Sequence, residues 1–437
     1  NRLWSQTMRC CVKTIMVIIL SGYTCLASAE QAPPTDPNAP LLLKDYLVRA
    51  AMNNSGLRAA FDSFHAAMEQ IPQAASLDDP QFTYSYFIRE EMETRSGPHR
   101  QKYAIMQMFP WFGKIQARTD AAAAQAKAAH HRYEAAKVKL IYQTSSVFYE
   151  FAYLAKAIDV AKENLELMQH FEQVAREKYR TAETSHPDII RAQIELATLE
   201  DELISLTRLQ KPLAVQLNAL LNQPADMELP WPQQDPFIAA EINTRLIAEQ
   251  IRSANPELAA VQQQILASQK NVELAKKRYW PDISLGLEVE DAPNRGMNGG
   301  RDPIMAMVSI NLPIWTDNYS AGVRQAQAQT AMARREKIQM EYDLVAQAEQ
   351  IMYELDDNLR KIRLYENVLI PKAKEMLAVT EQAYRTNTVD FMTLIDAEQK
   401  LLSFQLYYER SLTNYLQKQA ELEMLTGQPL PNEPNLN

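Results

Sequence analysis

The sequence predicts a mainly α protein with a small β part, in which very long paired helices carry four strands arranged as two hairpins. Three observations predict it. The chain states itself twice: Tyr179-Arg180-Thr181 returns as Tyr384-Arg385-Thr386, and at the same offset Ile190, Ala192 and Leu196 meet Ile395, Ala397 and Leu401. Leu217, Leu220, Gln223 and Pro224 then meet Leu422, Leu425, Gln428 and Pro429 without a gap. Two segments alternate apolar and polar residues with period two, and each precedes a very long helical run. Ten glycines in 437 residues, none between Lys114 and Leu285, suit uninterrupted helices and exclude a Gly-rich phosphate loop there.

The echo extends upstream, with Asn54 matching Asn255, Pro80 matching Pro281 and Pro110 matching Pro313. The chain is therefore a tandem duplication, 41–224 and 242–429. Its period is too long for a small-unit solenoid, so each half is a large unit that fits beside its twin.

Met8 reads as the natural start, with residues 1–7 an upstream artefact. Arg9 and Lys13 form a basic n-region, Ile15 to Leu20 an apolar h-region, and Ala27-Ser28-Ala29 a cleavage site. A signal peptide over 1–29 leaves Glu30 as the first mature residue; the apolar run is too short to span a bilayer. Cys25 lacks the preceding aliphatic residue of a lipid anchor. Cys10, Cys11 and Cys25 all lie in the leader, so disulfides and Cys-ligated metals are excluded from the mature chain. Losing Arg2, Arg9 and Lys13 with no acid takes the formal charge from −9 to −12. An acidic exported chain has no electrostatic footprint for nucleic acid.

Residues 31–40 are a Pro-rich lead-in. Leu41 to about Gln70 has the period of one amphipathic helix. Phe82, Tyr84, Tyr86 and Ile88 then alternate with Gln81, Thr83 and Ser85, and a polar stretch leads to Tyr103–Phe109, giving a hairpin over 81–109. The second copy, 282–312, is cleaner: Ile283, Leu285, Leu287 and Val289, then Ile304, Ala306, Val308, Ile310 and Leu312, each alternate with polar or methionine positions. One wholly apolar face opposite a polar face is the pattern of a half-buried strand, and in a membrane barrel those faces meet lipid and a wet lumen. Gly113–Lys178 and Tyr319–Ala383 follow as helices of about 100 Å each, Ala-rich at their starts, the second kinked at Pro371. Each ends at its Tyr-Arg-Thr, turns, and restarts at Asp188 or Asp390, so each is a helical hairpin with a tip. Helices 41–76 and 244–279 stack end to end with the returning helices, 188–221 and 390–425. Residues 225–241, rich in proline, link the halves as an equatorial collar against the helices, and 430–437 is a tail.

Four strands cannot close a barrel alone, and an open sheet with an apolar outer face leaves unpaired edges that lipid does not tolerate. Closure demands self-association; three copies give 12 strands, an allowed even number, and two or four copies satisfy the same arithmetic.

With the Q-M-F-P-W-F-G-K run at Gln107 to Lys114, the two Y-R-T tips, the returns A-Q-I-E-L and A-E-Q-K-L, and the helix ends L-N-A-L-L-N-Q-P and L-E-M-L-T-G-Q-P, the duplicated layout resembles TolC-family outer-membrane efflux proteins over 41–430. The resemblance implies a homotrimer in the outer membrane of a Gram-negative bacterium. A 12-stranded β-barrel would stand on a coiled-coil α-helical barrel crossing the periplasm, with tips docked on a periplasmic adaptor joined to an inner-membrane pump. It implies no cofactor and no catalysis. The run Phe109 to Gly113 resembles members associated with metal-ion or drug efflux.

The resemblance also assigns residues. Asp396 matches the inner acidic position of the pore constriction, and the companion three residues earlier is Thr393, so a single weaker acidic ring is expected. Tyr179, Arg180, Thr181 and Asp188 with Tyr384, Arg385, Thr386 and Asp390 are the adaptor-facing tips. Asp188 matches a residue that bridges to a basic position on the other hairpin, which is Val389 in this chain; a carboxylate after Pro187 also suits a helix N-terminus. Trp111, Trp280 and Trp315 flank the strands as a membrane-interface belt. His130 and His131 are adjacent on a helix and cannot hold one ion together, and no metal motif is present, so no metal site is expected. The methionines near the hairpins (Met92, Met106, Met108, Met297, Met305, Met307) read as barrel and loop packing. Two rival readings remain at the level of residues: a type I protein-secretion channel, which uses the same duct, and a periplasmic coiled-coil scaffold, against which the exposed alternating faces argue.

Overall fold

The computed structural model describes residues 42–88, 101–181, 186–233, 236–240, 242–291 and 302–430. The expected leader 1–29, the lead-in 31–40, the loop stretches 89–100 and 292–301 with Met92 and Met297, and the tail from 431 lie outside the described residues.

The first helical run is two helices, not one: α1, Leu43–Asn53, and α2, Ser55–Ala75. Asn54 between them is extended, and its side-chain oxygen accepts from the Leu57 N–H at 2.9 Å, capping α2. The second half repeats the break. Helix α5, Thr244–Ala254, ends before Asn255, whose side chain caps α6, Pro256–Lys277, by accepting from Leu258 N–H at 2.9 Å. Each asparagine also donates from Nδ2 to the far end of a returning helix at 2.9 Å, Asn54 to the Leu220 carbonyl and Asn255 to that of Leu425. The matched asparagines thus join the stacked helices end to end, which period counting alone misses.

Strands β1, Gln81–Tyr86, and β2, Gln101–Phe109, precede helix α3, Lys114–Arg180, and its return α4, His186–Leu220. In the second half β3, Ile283–Asp291, and β4, Ile304–Ile310, precede α7, Thr316–Leu364. A π-turn at Tyr365–Leu369 joins α7 to α8, Ile370–Arg385, and α9, Phe391–Thr426, returns. The kink expected at Pro371 takes the form of this π-turn. Proline at the start of α8 cannot donate to the preceding turn, and widening that turn accommodates its ring without ending the helix. Gly113, just before α3, and Gly427, just after α9, adopt φ of 78° and 69°, conformations that favour glycine.

The four strands form one antiparallel sheet in the order β1-β2-β3-β4. Register places Phe82, Ile105, Leu287 and Ala306 in one row and Tyr84, Tyr103, Val289 and Ile304 in the next. The rows between, such as Thr83, Ala104, Glu288 and Met305, lie on the opposite face. One face is therefore apolar across all four strands, with Gln107 within it and Gln101 and Asp291 at its far end, and most of its large side chains are exposed in the single chain. The other is polar and carries the Lys102–Glu288 ion pair, with Met106, Met108, Met305 and Met307 in its rows. No helix among the described residues is long and apolar enough to cross a membrane.

The helices pack side by side: α2 and α4 against α3, α3 against α6 and α9, and these against α7, with α9 also on α8. Buried alanines on α3 (Ala117, Ala121, Ala124, Ala128) let it approach its neighbours closely. One core lies at the tips around Phe171, Tyr384 and Phe391, and two others lie toward the linker. There Leu229 joins the Phe148–Phe151 core, Trp231 stacks on Phe151 at 4.9 Å, and the Tyr415 hydroxyl accepts from Ala240 N–H at 3.0 Å.

Candidate functional site

Where strands meet helices, Asp282 ties the two halves. Its Oδ1 accepts from Trp111 N–H and from Lys114 Nζ, both at 2.7 Å, and Lys114 also donates to the Trp280 carbonyl at 2.9 Å. The Asp282 N–H donates to Asn311 Oδ1. The rings of Trp111 and Trp280 stack at 5.3 Å and 7°. Trp315, just before α7, is 73 % exposed. Two of the three expected belt residues are thus brought together by one carboxylate that periodicity does not reveal.

At the tips the repeated threonines have a local explanation. The Thr181 hydroxyl donates to the Lys178 carbonyl of the last helical turn at 3.0 Å, and that of Thr386 to the Ala383 carbonyl at 3.1 Å, which also accepts from the Thr388 N–H at 2.9 Å. Asn387 takes φ of 61° beyond α8, the left-handed turn that asparagine tolerates. Arg180 pairs with Glu177 at 2.9 Å. Arg385 pairs with Glu381 at 2.5 Å and approaches His170 Nε2 at 3.1 Å. Asp188 lies 3.8 Å from Arg191 on its own helix. Asp390 caps α9, accepting from Thr393 N–H at 2.9 Å and from its hydroxyl at 2.6 Å. Those two bonds hold its carboxyl below the usual range, the hydroxyl contributing most.

Tyr384 departs from the expectation. Tyr179 is exposed, but Tyr384 is only 3 % exposed, its ring packed on Phe391 at 5.4 Å, so it is core and its side chain has no free face for a partner. Lys178 explains the burial. From the end of α3 its Nζ donates to the Tyr384 carbonyl and to Asn387 Oδ1, and sits 4.6 Å from the centre of the Tyr384 ring. A lysine of the first tip thereby serves the C-terminal end of the helix in the second, where a cation suits the dipole. The same position in the other repeat is Ala383, so the tie runs one way. Lys178→Met, which keeps the stem and removes the donor, is expected to loosen the second tip. Limited proteolysis should cut 386–390 at least several-fold faster than in wild type, and unchanged cutting would contradict the tie.

The constriction candidates lie on the face of α9 opposite its buried residues. Asp396 is 62 % exposed, and Lys400 one turn on pairs with it at 2.8 Å, which offsets its charge. Thr393 is exposed, with its hydroxyl engaged by Asp390. On the buried face is Glu398, absent from the residues that sequence reasoning singles out. It is 0 % exposed, and neither carboxyl oxygen has a hydrogen-bond partner among the described residues. Burial first, and the nearby Glu195 second, push its carboxyl up to about 7. His130 meets Phe64 edge-on at 5.2 Å, and among the described residues no group of three or more His, Cys, Asp or Glu is arranged to hold a metal.

The profile of one family, described as outer membrane efflux protein, matches residues 46–223 and 247–428. Nodulation protein T of Rhizobium leguminosarum bv. trifolii is 20 % identical over 400 residues, 88 % of this chain and 85 % of that protein. Toxin and drug export protein A of Aggregatibacter actinomycetemcomitans is 22 % identical over 301 residues, 66 % of this chain and 65 % of the relative. The crystal structure of outer membrane protein VceC from Vibrio cholerae superposes with a TM-score of 0.74 at 15 % identity, covering 89 % of this chain and 97 % of that one.

Proposed function

Because this chain belongs to the outer membrane efflux protein family, we propose that it is the exit duct of a tripartite efflux pump. Three copies would form a passive channel that conducts small molecules or metal ions outward, without catalysis. The observation that carries this is the sheet. Its apolar face is exposed across four strands, and β1 and β4 have one partner each. Such a sheet is viable in lipid only when its free edges pair with other copies into a closed barrel. Below it, α2 with α4 and α7 with α8 form the open sides of the helical layer, so the same head-to-tail ring closes strands and helices together.

In this reading the belt of Trp111, Trp280 and Trp315 sits at the boundary between lipid and water. The tips, through Tyr179, Arg180, Thr181, Arg385 and Thr386, face a periodic array of adaptor subunits, and the adaptor joins the duct to an inner-membrane pump that supplies the energy. Asp396 lines the narrowest part, its charge moderated by Lys400. Drug export named for one relative supports an efflux cargo, and protein export through the same duct would be its alternative use.

Single-channel recording in a planar bilayer tests the reading. Wild type is expected to give discrete steps, and Asp396→Ala to raise conductance at neutral pH measurably but by less than about two-fold, because Lys400 already offsets the carboxylate. A folded, assembled protein that gives no steps would overturn the channel. Steps that ignore the substitution would remove Asp396 from the constriction.

A further inference from the structure

The two open sides of the helical layer differ in chemistry at one level. On one side a cavity of about 670 Å³ lies between the Thr207–Ala214 stretch of α4 and the linker residues Ala225–Leu229. Arg208 and Lys211 line it from the helix, Asp226, Met227 and Glu228 from the linker. Neither cation has an ion-pair partner within the chain among the described residues. On the other side, Tyr353 of α7 is 66 % exposed. At about 100° per residue it points roughly opposite Leu344, Ala348, Ile351 and Leu355, which face the core, and so points away from the chain. Glu349 and Asp356, one turn to either side of Tyr353 on this face, are exposed and likewise lack an ion-pair partner among the described residues.

The two features share a level along the helices. Lys418 of α9 pairs with Glu354 of α7 at 2.9 Å, and the neighbouring Gln417 donates to the Ser146 carbonyl of α3 at 2.9 Å, so Glu354 and Ser146 are level. One turn along α3, Phe148 and Phe151 share a core with Leu213 and Leu217 of α4 and with Leu229, which lines the cavity. An aromatic knob flanked by two acids therefore stands at the height of a cavity that presents two bases from its helix side and two acids from its linker side, on opposite sides of the same chain.

We propose that Tyr353 of one copy seats in the α4–linker cavity of the next, with Glu349 and Asp356 pairing with Arg208 and Lys211. The contact is heterologous, so it repeats around the ring and fixes which side meets which. The Asp226 and Glu228 carboxylates supply acceptors for the phenol hydroxyl, and a tyrosine seated between opposite charges is the composition of an interface hot spot. This rests on the ring proposed above, and adds the residues that set its register at the level of the linker.

The test is a disulfide across the contact. Tyr353→Cys and Met227→Cys are combined in a chain whose Cys10, Cys11 and Cys25 are serine, and the protein is oxidised mildly in detergent. The double variant is expected to run as a covalent ring on a non-reducing gel, and each single variant as a monomer. As a second measurement, Arg208→Glu with Lys211→Glu, or Glu349→Lys with Asp356→Lys, should each lower the assembled fraction about tenfold, and all four together should restore it. Rings by native mass without the cross-link and without rescue would overturn the contact and leave the channel reading standing. A wild-type protein that is monomeric throughout would overturn both.

Discussion

Leu287→Arg is expected to keep the chain out of the outer membrane. Leu287 stands at the middle of β3, 55 % exposed, in a row with Ile105 and Ala306, on the face that lipid would cover. Arginine at the bilayer midplane costs a transmembrane barrel about 2–4 kcal/mol, and a ring of identical chains carries that cost in every copy. Ser309→Arg is the control, since it sits in a strand row of the polar face, with Ser284, where a wet lumen accepts charge. Fractionation of membranes and the yield of detergent-resistant oligomer check both. Leu287→Arg should remove most of the assembled protein and Ser309→Arg should not; equal tolerance would mean that the apolar face does not meet lipid.

Glu398 is expected to make the tips less stable as pH rises. Its carboxyl is at about 7 when folded against 4.5 when exposed, so the folded chain holds a proton that the unfolded chain has released. The contribution is fully present below 4.5, declines as pH rises from there to about 7, and is lost above it. The difference amounts to about 3 kcal/mol per chain. The groups facing it bear on the sign. Glu195 on α4 opposes ionisation, and Gln399 ties Glu195 in place, while Asp396 and Lys400 on α9 itself are exposed and pair with each other. Glu398→Gln should therefore flatten the fall of unfolding midpoint between pH 5 and 8 and raise the midpoint at pH 8. A variant as pH-dependent as wild type would place the titration elsewhere.

The strands were legible because period-two alternation is visible along each strand by itself, but keeping Leu287 and Ile105 on the same face fixes only the parity of the pairing, and the register comes from the structure. The long helices were legible from missing breakers. What periodicity cannot supply is a contact whose partner lies elsewhere in the chain. Asn54 and Asn255 stand out as a repeated pair, yet apolar spacing runs through both; only the Leu220 and Leu425 carbonyls show why the helix stops there. Lys178 reads as a helix-end cation until Tyr384 and Asn387 are brought beneath it. Glu398 reads as surface charge in A-E-Q-K-L by residue type alone, although its spacing of four from Leu394 and three from Leu401 puts it on their buried face. Burial likewise removes Tyr384 from the proposed docking surface, although its repeat partner Tyr179 is exposed.

Everything proposed for function rests on closure by identical chains. Native mass spectrometry of the detergent-purified protein measures it directly. Three copies per particle are predicted, twelve strands in a sealed barrel. A particle that stays folded and monomeric, with β1 and β4 unpaired, would contradict the account.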